Sequence, residues 1–138
     1  MAWSLYKREV ESFGEKINEI IKKNDLTYEK KFYSSIELFY DFYDRNPTKF
    51  SFILLSQNNF PKKLKLNNEL NPFFILREFL TSYEKNKNLK IEDIELMSGM
   101  IYGLILEPAK MKSTKLLNGK LKDRTEKVYK ACINILKS

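Results

Sequence analysis

The stretch 91-IEDIELMSGMIYGLILEP-108 decides how this chain is read. At helical spacing, Ile94, Met97, Ile101 and Leu104/Ile105 fall on one apolar stripe. Leu96, Met100 and Leu106 lie on another side, with Gly99 and Gly103 one turn apart among them. A helix with a single apolar stripe covers a core, whereas one apolar nearly all round is buried on both sides. Glycine weakens a helix by about 1 kcal/mol relative to alanine. Two glycines at this spacing therefore point to another backbone packing closely against that face. The pattern predicts a helix over 91–108 with its own core on one side and a second subunit on the other. A central core helix of a monomer is the plainer alternative. Glu92, Asp93, Glu95 and Glu107 leave the uncharged run too short for a membrane span, which needs about 20 apolar residues.

Downstream, Pro108 is expected to end this helix, and Lys110 to Lys122, basic and containing Gly119, to form a connecting loop. Asp123 with Glu126 three residues on resembles a capping box and opens a last helix to Leu136. Val128, Cys132 and Ile135 form one stripe there; Tyr129, Ile133 and Leu136 form its neighbour. The last helix, like the 91–108 helix, is thus apolar over more than one face. Their second faces predict a symmetric dimer through Leu96, Gly99, Met100, Gly103, Val128, Cys132 and Ile135.

Upstream, apolar residues at Trp3, Tyr6, Val10, Phe13, Ile17 and Ile20/Ile21 are spaced three or four apart, an amphipathic helix over 2–23. Thr27 is placed to cap a second helix, Tyr28 to about Arg45. Phe32, Tyr33, Ile36, Leu38, Phe39, Tyr40, Phe42 and Tyr43 give that helix more aromatic surface than one core face needs. Asn46-Pro47 reads as N-cap plus first-turn proline and starts a third helix to about Gln57, with Phe50, Phe52, Ile53 and Leu55 inward. A polar stretch from Asn58 to Leu70, carrying Lys62, Lys63 and Lys65, reads as a long loop. Asn71-Pro72 repeats the start signal for a fourth helix to about Asn86, with Phe73, Leu76, Phe79, Leu80 and Tyr83 on its inner side. The whole is an all-α single domain, 1–138, of about six helices.

Composition agrees with that class and narrows the chemistry. The 138 residues are 43% hydrophobic and 14% aromatic, ample for one core and unlike a disordered chain. The formal charge is +7, but the cations are mostly lysine, in a Lys-, Asn- and Ile-rich composition that AT-rich coding produces without selection for a polyanion. There is no histidine and a single cysteine, Cys132. The usual general base and commonest metal ligand are therefore absent, and no metal or cofactor is expected. No phosphate loop, dinucleotide fingerprint or nucleophile elbow occurs. Asp93 and Glu95 sit two apart on a helix and point different ways, as expected of a charged first turn. The amino terminus runs straight into an amphipathic pattern, so no signal peptide is expected, and the lone cysteine suits a reducing cytoplasm; with the usual catalytic groups missing, no enzyme is expected.

Four stretches carry a resemblance: LFYDFYDRNPTKFSFILLSQ (38–57), NPFFILREFLTSYEKN (71–86), IEDIELMSGMIYGLILEPA (91–109) and NGKLKDRTEKVYKACINIL (118–136). In order and spacing they resemble the carboxy-terminal ligand-sensing and dimerisation domain of TetR-type transcriptional regulators. AWSLYKREVESF (2–13) is similar to the helix that links the two domains in that family. The resemblance implies a homodimer in which the fifth and sixth helices pair with their twins in a four-helix bundle. It also implies a small-molecule effector held among the second to fifth helices. Phe39, Tyr40, Phe42, Tyr43, Phe52, Leu55, Phe79, Tyr83, Met97 and Ile101 are the residues best placed to wall such a pocket, and they favour an apolar or flat aromatic ligand. Aromatic stripes at helical spacing serve a plain core equally well. Relatives read DNA through a helix-turn-helix ahead of this domain; these residues contain none, so operator reading by this chain alone is not expected. The alternative from another class is a helical protein–protein interaction module without a ligand. A basic module for nucleic acid or anionic lipid lacks the aromatics interleaved with its lysines that such binding uses.

Overall fold

Six helices make up the described residues, 2–55 and 68–137, of the computed structural model, and no strand occurs among them. Lys62, Lys63, Lys65 and positions 56–57 lie outside the described residues, as does the side chain of Trp3. The helices are α1 (Ala2–Ile21), α2 (Tyr28–Arg45), α3 (Pro47–Phe50), α4 (Pro72–Lys87), α5 (Ile94–Ser113) and α6 (Thr125–Lys137). The chain is an all-α helical bundle, as the periodicity predicts. No helix among the described residues is long and apolar enough to cross a membrane.

Local capping chemistry sets most of the starts. The Thr27 hydroxyl accepts the Lys30 N–H at 3.1 Å and opens α2. Asn46 ends α2 by donating its N–H to the Phe42 carbonyl and starts α3 by accepting the Lys49 N–H on its side chain. Asn71 caps α4 through the Phe73 N–H, with Pro72 in the first turn, where its missing donor costs nothing. After Phe50 the backbone widens into a π-helical turn, Ser51–Leu55. The extra residue per turn rotates the inward face. Ile53 and Leu54 are buried with Phe50, and the expected inward Phe52 and Leu55 are only half-buried.

The helix that the others surround is α2, which packs against α1, α3, α5 and α6. It buries Phe32, Ile36, Phe39, Tyr40 and Tyr43. α1 lays Tyr6, Val10, Phe13 and Ile17 on this core. It also passes so close to the turn at 68–70 that a Cβ on Gly14 would stand 1.9 Å from the Leu70 carbonyl oxygen. The Asn18 side-chain amide ties the same two segments by donating to the Glu69 carbonyl at 3.0 Å.

Three expectations around α5 are corrected. The helix begins at Ile94 rather than Ile91, with the Asp93 carboxylate accepting the Leu96 N–H. Pro108 does not end it: α5 runs on to Ser113, so Lys110 to Ser113 are helical rather than loop. Proline removes the N–H that would serve the Leu104 carbonyl. Beside that gap the buried Tyr40 hydroxyl donates to the Ile105 carbonyl at 2.8 Å, bracing the turn from α2. The true stop is a Schellman closure, with Lys115 left-handed at φ 64° and Leu116 N–H bonded to the Met111 carbonyl. At α6, Asp123 falls inside a 3-10 turn, Leu121–Arg124, instead of opening the helix as a capping box. Asp44 of α2 holds that turn, its two carboxylate oxygens accepting the Leu121 N–H at 2.9 Å and the Lys122 N–H at 3.0 Å.

Candidate functional site

Leu96, Gly99, Met100 and Gly103 recur at i, i+3, i+4 and i+7 along α5 and all face outward. Leu96 is 58% exposed and Met100 42%, unusual values for large apolar side chains in a packed helix. A Cβ built on Gly99 or on Gly103 meets no atom within 4 Å among the described residues. Nothing among the described residues therefore demands glycine at either position. The opposite side of α5 supplies core through Ile101, Tyr102, Ile105, Leu106 and Ala109, so Leu106 belongs with the interior and not beside Leu96 and Met100. Acid marks one end of the outward face, with Glu92, Asp93 and Glu95 exposed, and Lys110 stands exposed near the other end.

Of the α6 residues expected on the same surface, Val128 and Ile135 are half-buried at its edge. Cys132 is a correction: it is fully buried, on the inward stripe with Ile133 and Leu136. Burial pushes its thiol up to about 12, so it stays protonated at neutral pH and is no nucleophile. The error arose because Cys132 lies at helical spacing from both stripes, and only the packing of α6 on α2 decides which one turns inward.

The ten residues expected to wall a ligand pocket divide differently. Phe39, Tyr40, Tyr43, Phe79, Tyr83 and Ile101 are buried; Phe42, Phe52, Leu55 and Met97 are half-buried against the core. Their rings face one another rather than a void. Phe39 meets Phe13 edge-on at 4.9 Å, Phe42 meets Phe50 at 5.6 Å, and Tyr43 meets Phe50 at 5.2 Å. Phe52 pairs with Tyr6 at 5.7 Å and Phe79 with Tyr83 at 6.4 Å. Two of their hydroxyls are engaged within the chain: Tyr40 donates to the Ile105 carbonyl, and Tyr43 pairs with the Ser113 hydroxyl at 3.0 Å. Burial raises the Tyr40 phenol well above its ordinary value, so it remains a donor.

A small apolar cavity does occur, but of about 20 Å³, room for a single water. It lies between α1, α2, α4 and α5, with Ile17, Phe32, Ile36, Phe39, Ile75 and Phe79 among its walls. Only Phe39 and Phe79 of the ten expected residues reach it. α1 supplies a wall that sequence reasoning assigned to core, and the available signal was its unbroken stripe through Ile17 and Ile21. No cluster of three or more metal-binding side chains forms among the described residues. The chain matches no protein-family model, no curated protein and no solved structure.

Proposed function

We propose that this chain is a dimerising, effector-sensing domain of a regulator resembling the TetR type, pairing with a second copy through the outward face of α5 and the adjoining edge of α6. The observation that carries the dimer is the strip Leu96, Gly99, Met100 and Gly103, which is apolar, exposed and free of any atom that would explain its glycines. Self-pairing suits its charge as well. In an antiparallel pair the exposed Glu92 and Asp93 at the start of one α5 would face the other copy's Lys110, and Met100 would face the open backbone at Gly103, while Glu95 keeps its ion pair with Arg77. Each contact then occurs twice, as a two-fold interface requires. The effector half rests on the apolar interior between α1, α2, α4 and α5, which takes a molecule larger than water only as those helices part. DNA is not read by these residues, and any affinity for duplexes is phosphate-driven and falls steeply with salt.

Sedimentation at micromolar concentration tests the dimer. The parent should sediment as a symmetric dimer and Gly103→Leu as a weakened one, since a side chain there holds the backbones apart. A dimer of unchanged tightness in that variant removes this surface from the reading. The small size of the cavity favours one second reading, a helical module that docks a different protein and holds no ligand. A parent that is monomeric at every concentration moves the assignment to that reading.

A further inference from the structure

The small cavity has a wider neighbour. A groove of about 440 Å³ runs over the surface between the end of α1, the start of α2, the turn at 68–70 and α4. Ile21, Ile75 and Phe79 line both spaces, so these side chains form the partition between them. Ile21 is the last residue of α1 and half-buried, followed by non-helical chain up to Thr27. A side chain at a helix end is the least constrained of such partitions. If it swings aside, the groove continues into the apolar interior. The groove floor is apolar, with Tyr28 and Phe74 beside the partition.

The lips of the groove differ in charge. Lys22 and Lys31 stand on the α1 and α2 side, Glu69 and Glu78 on the α4 side. Among the described residues four lysines form ion pairs, Lys49 with Glu9, Lys87 with Glu29, Lys122 with Asp41 and Lys130 with Glu126, and Lys22 and Lys31 stand with the larger number that form none. No carboxylate lies within ion-pair distance of Lys22 or Lys31 among the described residues; Lys31 rests its ammonium over the Tyr28 ring at 5.4 Å. From these features we infer that the groove and the cavity behind it form one site for a single-chain amphiphile, its aliphatic tail directed past Ile21 and Phe79 and its anionic head held at Lys22 and Lys31. This deepens the effector half of the proposed function and rests on it, while being independent of the dimer.

The test compares three probes of one chain length, dodecanoate, dodecanol and dodecylamine, each below its micelle concentration, by calorimetric titration of the full chain. Dodecanoate should bind best, with an advantage over dodecanol of about tenfold, and dodecylamine worst. The double change Lys22→Glu with Lys31→Glu, the first exposed and the second half-buried, should abolish that advantage and leave dodecanol binding as before. With isoleucine methyl groups labelled for NMR, dodecanoate should shift Ile17, Ile21, Ile75 and Ile105 and leave Ile53 and Ile133 in place. The inference is overturned if no probe binds, if dodecylamine binds as well as dodecanoate, if the charge reversal leaves the order intact, or if the shifts spread over all isoleucines. Sedimentation of the same samples separates the outcomes: a dimer that binds no amphiphile removes this site alone, and a monomer that binds dodecanoate removes the dimer alone.

Discussion

Gly14 on α1 and the pair Gly99 and Gly103 on α5 are the same residue in helices of the same length, under opposite demands. At Gly14 a single added carbon would stand 1.9 Å from the Leu70 carbonyl oxygen and 2.7 Å from its carbon, both backbone atoms. At Gly99 and Gly103 an added carbon meets nothing. The first glycine is explained within the chain, because two backbones touch there. The other two lower helix propensity with no return among the described residues, and that imbalance is what supports the proposed second copy. A glycine in a helix is informative only once its surroundings are known.

The largest effect should come from breaking the inner contact. Gly14→Ala forces α1 off the turn at 68–70, with no flexible side chain to give way, and overpacking of this kind costs about 1–3 kcal/mol or more. The variant should unfold in urea at a distinctly lower midpoint with an unchanged slope. A midpoint equal to the parent's would mean that α1 and Leu70 are farther apart than described.

Asp44→Ala removes the acceptor for two backbone donors at the start of the 121–124 turn. Losing one cap costs about 1 kcal/mol, so a drop near 2 kcal/mol is expected in chemical denaturation. It sharpens the comparison by showing that long-range contacts inside the chain hold stability that the outward strip of α5 does not. A loss below half of that would assign the turn to its own local bonds.

The outer glycines should behave in the reverse sense. Gly99→Ala with Gly103→Ala should raise monomer stability, by about 1 kcal/mol per site from helix propensity alone, while weakening the dimer. Measuring unfolding in dilute solution and sedimentation in concentrated solution on one sample separates the two. If both stability and association fall, the strip is packed by its own chain after all.

The smallest effect concerns acid. Lys87 on α4 holds the Glu29 carboxyl of α2 below its ordinary value of 4.5 across a 2.9 Å ion pair. A lowered folded value contributes stability that is present above 4.5 and lost as pH falls through the folded value. Both partners are substantially exposed, so the loss is modest. Glu29→Gln should flatten the thermal melting profile below pH 4.5 and nothing else; an equally steep profile would give the acid sensitivity to other carboxylates.

The outward strip was legible in the sequence, since Leu96, Gly99, Met100 and Gly103 needed only helical spacing and the cost of glycine to stand out. The interior was not. Only Phe39 and Phe79 of the expected pocket residues reach the cavity, because aromatic rings at helical spacing look the same whether they face a ligand or one another. Phe13 on Phe39 and Phe50 on Phe42 close the space that the pattern left open.

By itself the sequence determined the helices and most of their starts. Thr27, Asn46-Pro47 and Asn71-Pro72 act within one turn, on donors a few residues away, so their effect does not depend on the rest of the chain. The tertiary structure alone decided that α5 runs through Pro108, that Asp44 rather than Asp123 holds the entrance to α6, that Cys132 turns inward and that Gly14 touches Leu70. Each of these depends on a partner outside the local segment: Tyr40 reaches Ile105 across 65 positions and Asp44 reaches Leu121 across 77. Propensity and periodicity describe a residue's own helix. Which face turns inward, and which break is braced, is fixed only when the other helices arrive.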